Sequence, residues 1–311
     1  MTRAAARWFD LRFACMAHTR NPLNRRRLEL LFGLLLAVLF YAQFQMGGSP
    51  EVVLSQGTPV VLAAEAIGAD PFERLIRENP LEALVQARAR HLREVTDYQC
   101  VMVKQEALPS GMSEEQEIEV KFRHDPYSVY MHWLRNPGLA NRVIYVKDRW
   151  LDAAADSPQE QQLAVAQPGK IAQLFVRSIK QPIRGKLARK SSRRSLDEFG
   201  FEKTLDLLIK YCQIARDRNE LLLEYRGTSY FDGRAVWVVR RTLPYTMEGG
   251  LYPDRTAEIY IDQAYRVPVA VYCYADDERL PRNLLGKYEY RNIRFRTGLS
   301  DRDFDPVTYG M

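Results

Sequence analysis

Histidine and cysteine, four of each, are the scarcest reactive side chains in this 311-residue chain. His18 sits in an arginine-rich N-terminal tail, and His91 falls in a stretch of helical periodicity. His124 and His132 are eight residues apart in strand-type sequence, with no third ligand close by. Metal ligands recur at shorter spacings on a helix or strand, so this pattern predicts no metal site. The cysteines Cys15, Cys100, Cys212 and Cys273 are isolated, and no C-x-x-C pair exists. That spacing supports neither a zinc site nor a dithiol redox motif. No G-x-S-x-G, no H-E-x-x-H and no phosphate-binding glycine loop is present. Asp276, Asp277 and Glu278 follow a strand end and read as a solvated turn. Glycoside hydrolysis needs two carboxylates flanking one bond, and nothing singles out such a pair. The expectation is therefore no catalytic set, no metal and no cofactor. A hydrolase acting on envelope glycans or lipids stays as the least favoured reading.

Charge chemistry is more specific. From Lys170 to Arg194 nine residues are basic and none is acidic. Within this run Arg184, Lys186, Arg189, Lys190, Arg193 and Arg194 are candidates for contact with an anionic surface, such as lipid headgroups. A solvated loop and helix face is the competing account. The net charge of +6 would suit nucleic acid, but all of it resides in residues 1–27, and residues 28–311 sum to zero. No nucleic-acid partner is expected.

The basic tail leads into Leu30–Pro50, 21 residues without a charge. Arginines ahead of an apolar run keep the tail cytoplasmic and send the following chain across the membrane. Two readings remain open. The Leu30–Gln45 segment can anchor the protein as a spanning helix. Alternatively, the 13 strictly apolar residues Leu30–Ala42 are the core of a cleaved signal peptide. The expected layout is a cytoplasmic tail over 1–27, an anchor or signal over 28–48, a linker over 49–69 and an exported domain over 70–311. The expected location is the cell envelope, with the C-terminal domain in the periplasm.

The exported part opens with two helix signals. Asp70-Pro71 with Glu73, and Asn79-Pro80 with Glu82, each place an N-cap before a first-turn proline. After Asp97 the apolar period changes from helical to two. About ten consecutive strands follow, with hairpin signals at Pro109-Ser110-Gly111 and Asp232-Gly233. One interruption between about 168 and 216 holds a capping box, Ser195 with Glu198, and an amphipathic helix striped by Leu205, Leu208, Ile209 and Cys212. The class is α+β: a curved antiparallel sheet with amphipathic helices on its concave face.

Alternation assigns faces. In Thr256–Glu278, Ala257, Ile259 and Ile261 share one face with Val269, Val271 and Cys273, whereas Tyr260, Tyr272 and Tyr274 point the other way. In the strand "PYSVYMHWL", Val129, Met131 and Trp133 share a face. These three, with Leu205 and Leu208 on the helix as a lid, are the candidate lining of an apolar cavity. An ordinary packed core is the alternative for the same pattern.

The runs "DYQCVMVKQE", "VKFRHDPYSVYMHWL", "IYIDQAYRVPVAVYCY" and "KYEYRNIRFRTGLSDRDFDP" resemble a family of exported bacterial proteins known as domain of unknown function 1571. The likeness runs in order across about 97–311. In outline that family is similar to the periplasmic lipoprotein carriers of the LolA and LolB type, in which a half-open barrel wraps an apolar cavity beneath helices. The resemblance implies a non-enzymatic envelope protein that binds a lipid or a lipoprotein acyl chain. A fully packed barrel that serves as an interaction protein is the second reading.

Overall fold

The computed structural model describes residues 70–155, 157–169 and 172–311. The tail, the Leu30–Gln45 segment and the linker lie outside the described residues, as do Lys170 and Ile171. Among the described residues no helix is long and apolar enough to cross a membrane.

Both N-terminal helix signals hold. Helix α1 (Pro71–Glu78) is capped by the Asp70 carboxylate, which accepts from Phe72 N at 2.8 Å. Helix α2 (Pro80–Glu94) is capped by Asn79 Oδ1, which accepts from Glu82 N at 3.1 Å. Both place a proline where no intrahelical N–H is needed.

Twelve strands then form one antiparallel sheet that does not close. The first group is β1 (Asp97–Leu108), β2 (Gly111–Met112), β3 (Gln116–Arg123), β4 (Ser128–Arg135), β5 (Ala140–Val146), β6 (Leu163–Pro168) and β7 (Ile179–Pro182). A short helix, α3 (Pro158–Gln161), precedes β6. Helices α4 (Lys186–Ser191) and α5 (Phe201–Asp217) follow β7. The second group is β8 (Leu222–Phe231), β9 (Arg234–Thr242), β10 (Thr256–Asp262), β11 (Pro268–Tyr274) and β12 (Leu284–Phe295). The lateral order is β7-β6-β5-β4-β3-β1-β12-β11-β10-β9-β8, with β2 paired to β1 alone. The chain thus walks by hairpins from β1 to one edge, crosses to the other edge, and walks back until β12 pairs with β1. The crossing connection, 183–221, carries α4 and α5. Two strands exceed the sequence expectation: β2 is a two-residue hairpin extension, and β7 is a four-residue edge inside the supposed interruption. Neither is long enough to show a period.

The inner face carries two apolar clusters. One joins Tyr98, Cys100, Met102, Ile118, Val120, Phe122, Val129 and Met131 to Ile183, Phe199 and Phe201. The other sets α1, α2 and α5 on β9–β11 through Leu84, Leu205, Leu208, Trp237, Ile259 and Val271. The face assignments of the β10–β11 hairpin hold: Ile259 pairs with Val271 on the inner face, and Tyr260 meets Tyr272 edge-on at 5.5 Å on the outer one. A third, smaller cluster lies on the outer face, where Phe304 of the C-terminal segment is buried against Tyr130, Ile144 and Val146.

The capping box forms, but it opens a single 3-10 turn, Leu196–Glu198, and not the long helix. Helix α5 begins afresh at Phe201 because Gly200 takes φ 105°, ψ 168°, a conformation essentially confined to glycine. A Cβ there would lie 3.1 Å from both Phe122 and the Tyr98 hydroxyl, so the site also needs the missing side chain.

Candidate functional site

The connection that crosses the inner face starts at Ile183, 3 % exposed in the first cluster. It reaches β1 where Lys104 Nζ donates to Ser191 O at 3.5 Å and Arg193 N donates to Glu106 Oε2 at 3.3 Å. It returns to Leu196 and Phe199, whose carbonyls accept from Tyr127 Oη at 2.9 and 2.7 Å. This strap, 183–199, is therefore pinned at its bends by polar bonds. Between the pins lies α4, which buries none of its residues. Gly185 supplies its N-cap position without a side-chain bond, and Lys186, Leu187, Arg189 and Lys190 are all exposed.

The pins sit in a buried charged cluster. Glu106 is fully buried and accepts from Tyr288 Oη at 2.7 Å, and its ion pair with Lys104 spans 3.1 Å. Burial raises the Glu106 pKa, but Lys104 and the tyrosine bond outweigh it and hold the carboxyl below its ordinary value. Arg193 is spent inside the protein: it donates to Leu285 O at 2.9 Å, to Pro253 O at 3.2 Å and to Glu248 at 2.7 Å. Nearby, Arg241 and Asp254 form a second buried pair, in which Nη2 bonds both carboxylate oxygens at 2.9 Å. Arg241 Nε and Nη1 have no hydrogen-bond partner among the described residues.

The histidines form a contact that spacing did not show. His91 Nε2 lies 3.4 Å from His124 Nε2, and His124 Nδ1 lies 3.4 Å from Glu202 Oε2. His91 is 2 % exposed, and burial together with the nearby His124 pushes its pKa down to about 4. Glu202 is held down to about 2, chiefly by the bond from His124. Among the described residues no group of three metal-ligating side chains is assembled. His132 instead faces Glu119 at 3.3 Å on the outer face. Cys100 and Cys212 are buried and Cys273 is half-buried, all three as free thiols.

The candidate cavity residues separate into two places. Val129 and Met131 are buried in the first cluster, with Trp133 half-buried against it and its indole N–H enclosed without a partner among the described residues. Leu205 and Leu208 belong to the second cluster, under α1 and α2, so α5 covers β9–β11 and not β4. Two strap residues, Ile183 and Phe199, belong to the same cluster as Val129 and Met131. The six basic candidates also divide. Arg184 is bonded to Asp197 at 2.7 Å, and Arg193 is internal. Lys186, Arg189, Lys190 and Arg194 have no acidic partner among the described residues. Sequence reasoning missed Phe175 and Val176, which stand 84 % and 45 % exposed in the β6–β7 loop.

The family model described as protein of unknown function (DUF1571) matches residues 95–308. No curated protein matches. Among solved structures the chain is similar to a DUF1329 family protein of Desulfovibrio piger, at 14% identity and TM-score 0.36, covering 74% of this chain and 98% of that one. It is similar to lipoprotein LppX of Mycobacterium tuberculosis at 13% identity and TM-score 0.33, covering 73% of this chain and 100% of that one. A LolA superfamily protein of Nitrosomonas europaea gives 13% identity and TM-score 0.26, with 72% of this chain and 97% of that one covered.

Proposed function

We propose a function from one premise: the chain belongs to the DUF1571 family of proteins of unknown function. In this reading residues 70–311 form a non-enzymatic envelope domain, exported behind the basic tail. An apolar ligand of acyl type lies between the strap and the inner face of β1–β5. The observation that carries the reading is the helix without buried residues between the pins of the strap. A helix laid over an apolar sheet ordinarily buries one stripe of its side chains. Helix α4 buries none, while Trp133 and Val143 on the inner face of β4 and β5 stay half-buried. An acyl chain would complete this layer. Methionine and tryptophan suit such a site, since the thioether adapts to irregular shapes and the indole N–H gives a polar handle. Arg184, Arg193 and the buried Lys104–Glu106 pair are engaged in holding the strap down, which supports a binding role over a catalytic one.

Protein comprising residues 70–311 should bind a fluorescent fatty-acyl probe, and Met131→Asp should weaken it at least about tenfold, because a carboxylate beside the chain must be desolvated. Thermal melts run beside the titration decide between the two readings. If wild-type protein takes up no probe and Met131→Asp fails to fold, the inner face is a filled core. The domain then acts as an interaction protein.

A further inference from the structure

The structure assigns a membrane-docking surface to one half of one rim of the sheet, and its occupant is an anionic bilayer. The register places the loops. Ala140 pairs with Pro168, and Ala166 pairs with Ile179, so the β4–β5 turn and the β6–β7 loop leave the sheet at the same end. With strands about 4.8 Å apart, those loops are neighbours at roughly 10 Å. Their tips expose apolar side chains that cover nothing: Leu139 is 60 % exposed, Phe175 84 % and Val176 45 %. Single exposed leucines are ordinary on protein surfaces, but adjacent loops that each present one at the tip form a set.

The charges fit the same occupant. Residues 172–194 contain eight basic residues and no acidic one. Arg177 and Lys180 flank the apolar tip and are exposed. The strap brings Lys190 to the same rim, because the next residue, Ser191, accepts from Lys104 near the end of β1. None of these three has an acidic partner among the described residues. At the same end Glu114, Glu115 and Glu117 stand at the start of β3 beside β4, where Glu115 is paired with Arg135 and Lys287, and Asp276, Asp277 and Glu278 lie in the β11–β12 turn on the other half of the rim. Apolar tips flanked by unpaired cations match the headgroup boundary, where side chains such as phenylalanine enter the acyl region and lysine and arginine stay with the phosphates. An acidic protein would match the cations and leave the projecting tips unused.

Full-length protein placed in nanodiscs tests this. Discs of phosphatidylglycerol and of phosphatidylcholine each carry a lipid with a photoreactive acyl chain. After illumination, mass spectrometry locates the cross-linked peptides. The expected result is cross-linking within 134–140 and 172–180 in phosphatidylglycerol discs. It should be lost in phosphatidylcholine discs, and lost in phosphatidylglycerol discs for Arg177→Glu/Lys180→Glu/Lys190→Glu. These are exposed positions, and unchanged thermal melts would confirm that the triple variant folds. Equal cross-linking of the two loops in both lipids, their absence in both, or persistence in the triple variant would each overturn the assignment. Acyl-probe binding by residues 70–311 is measured without a bilayer, so that result stands or falls separately.

Discussion

At the residue scale, the His91–His124–Glu202 contact is the most informative. It ties α2, the end of β3 and the start of α5 through three titratable groups. His91 stays neutral in the fold because a charged imidazole would lose its hydration and face His124. Its folded pKa, about 4, lies below the ordinary value of 6.5. The unfolded chain therefore takes up the proton first, and stability falls as pH drops from 6.5 towards 4. Glu202 adds loss of the same sign between 4.5 and about 2. The expected loss from His91 alone is about 3 kcal/mol by pH 4. Urea unfolding at pH 7 and pH 4 checks it: in His91→Gln the difference between the two pH values should shrink by most of that amount. An unchanged difference would place the acid sensitivity elsewhere. None of this was legible in the sequence. His91 and His124 are 33 residues apart on separate elements, and only tertiary packing brings them together. By contrast, the faces of Ile259, Val271, Tyr260 and Tyr272 could be read directly, because strand alternation is a local property of the backbone.

At the element scale, caps and turns were legible where side-chain chemistry dictates them and obscure where an absent side chain does. Asp70, Asn79 and the Asp232-Gly233 turn carry their signals in residue type. Gly200 has no side chain to signal a boundary, yet it divides the 3-10 turn from α5 and admits the ring of Phe122 and the Tyr98 hydroxyl. Gly200→Ala should cost at least about 2 kcal/mol, from backbone strain at that φ and ψ plus the contact with the new methyl group. Chemical denaturation measures it directly, and a loss below about 0.5 kcal/mol, typical of exposed surface changes, would show that the junction relaxes. The strap was illegible for a different reason. A stripe of leucines on α5 shows that the helix has an apolar side, but not which strands it covers. The crossing from edge to edge puts α5 over β9–β11 and leaves the β4 side to a segment with no apolar stripe of its own.

At the scale of the whole molecule, the sheet is two hairpin walks joined along one seam. Each walk is built from local contacts, but the seam pairs β1 with β12, residues nearly 200 apart, from Tyr98 with Phe295 to Glu106 with Gly286. Both seam strands lie in the middle of the sheet, each flanked by a paired strand, so the seam should open last. The edges differ in kind. Strand β7 is four residues long and ends in Pro182, and its residues Ile179 and Lys180 are exposed. Its opening requires no other element to move, and it adjoins the proposed docking loops. Native-state hydrogen exchange should therefore show the slowest amides at Met102, Val103, Tyr288 and Glu289, exchanging only with global unfolding. The amides of β7 and the strap should exchange by smaller openings, several kcal/mol easier than the global one. If the strap and the seam exchanged with the same free energy, the strap would be an integral part of the core. Lifting it to admit an acyl chain would then mean unfolding the domain, and the binding reading would lose its route.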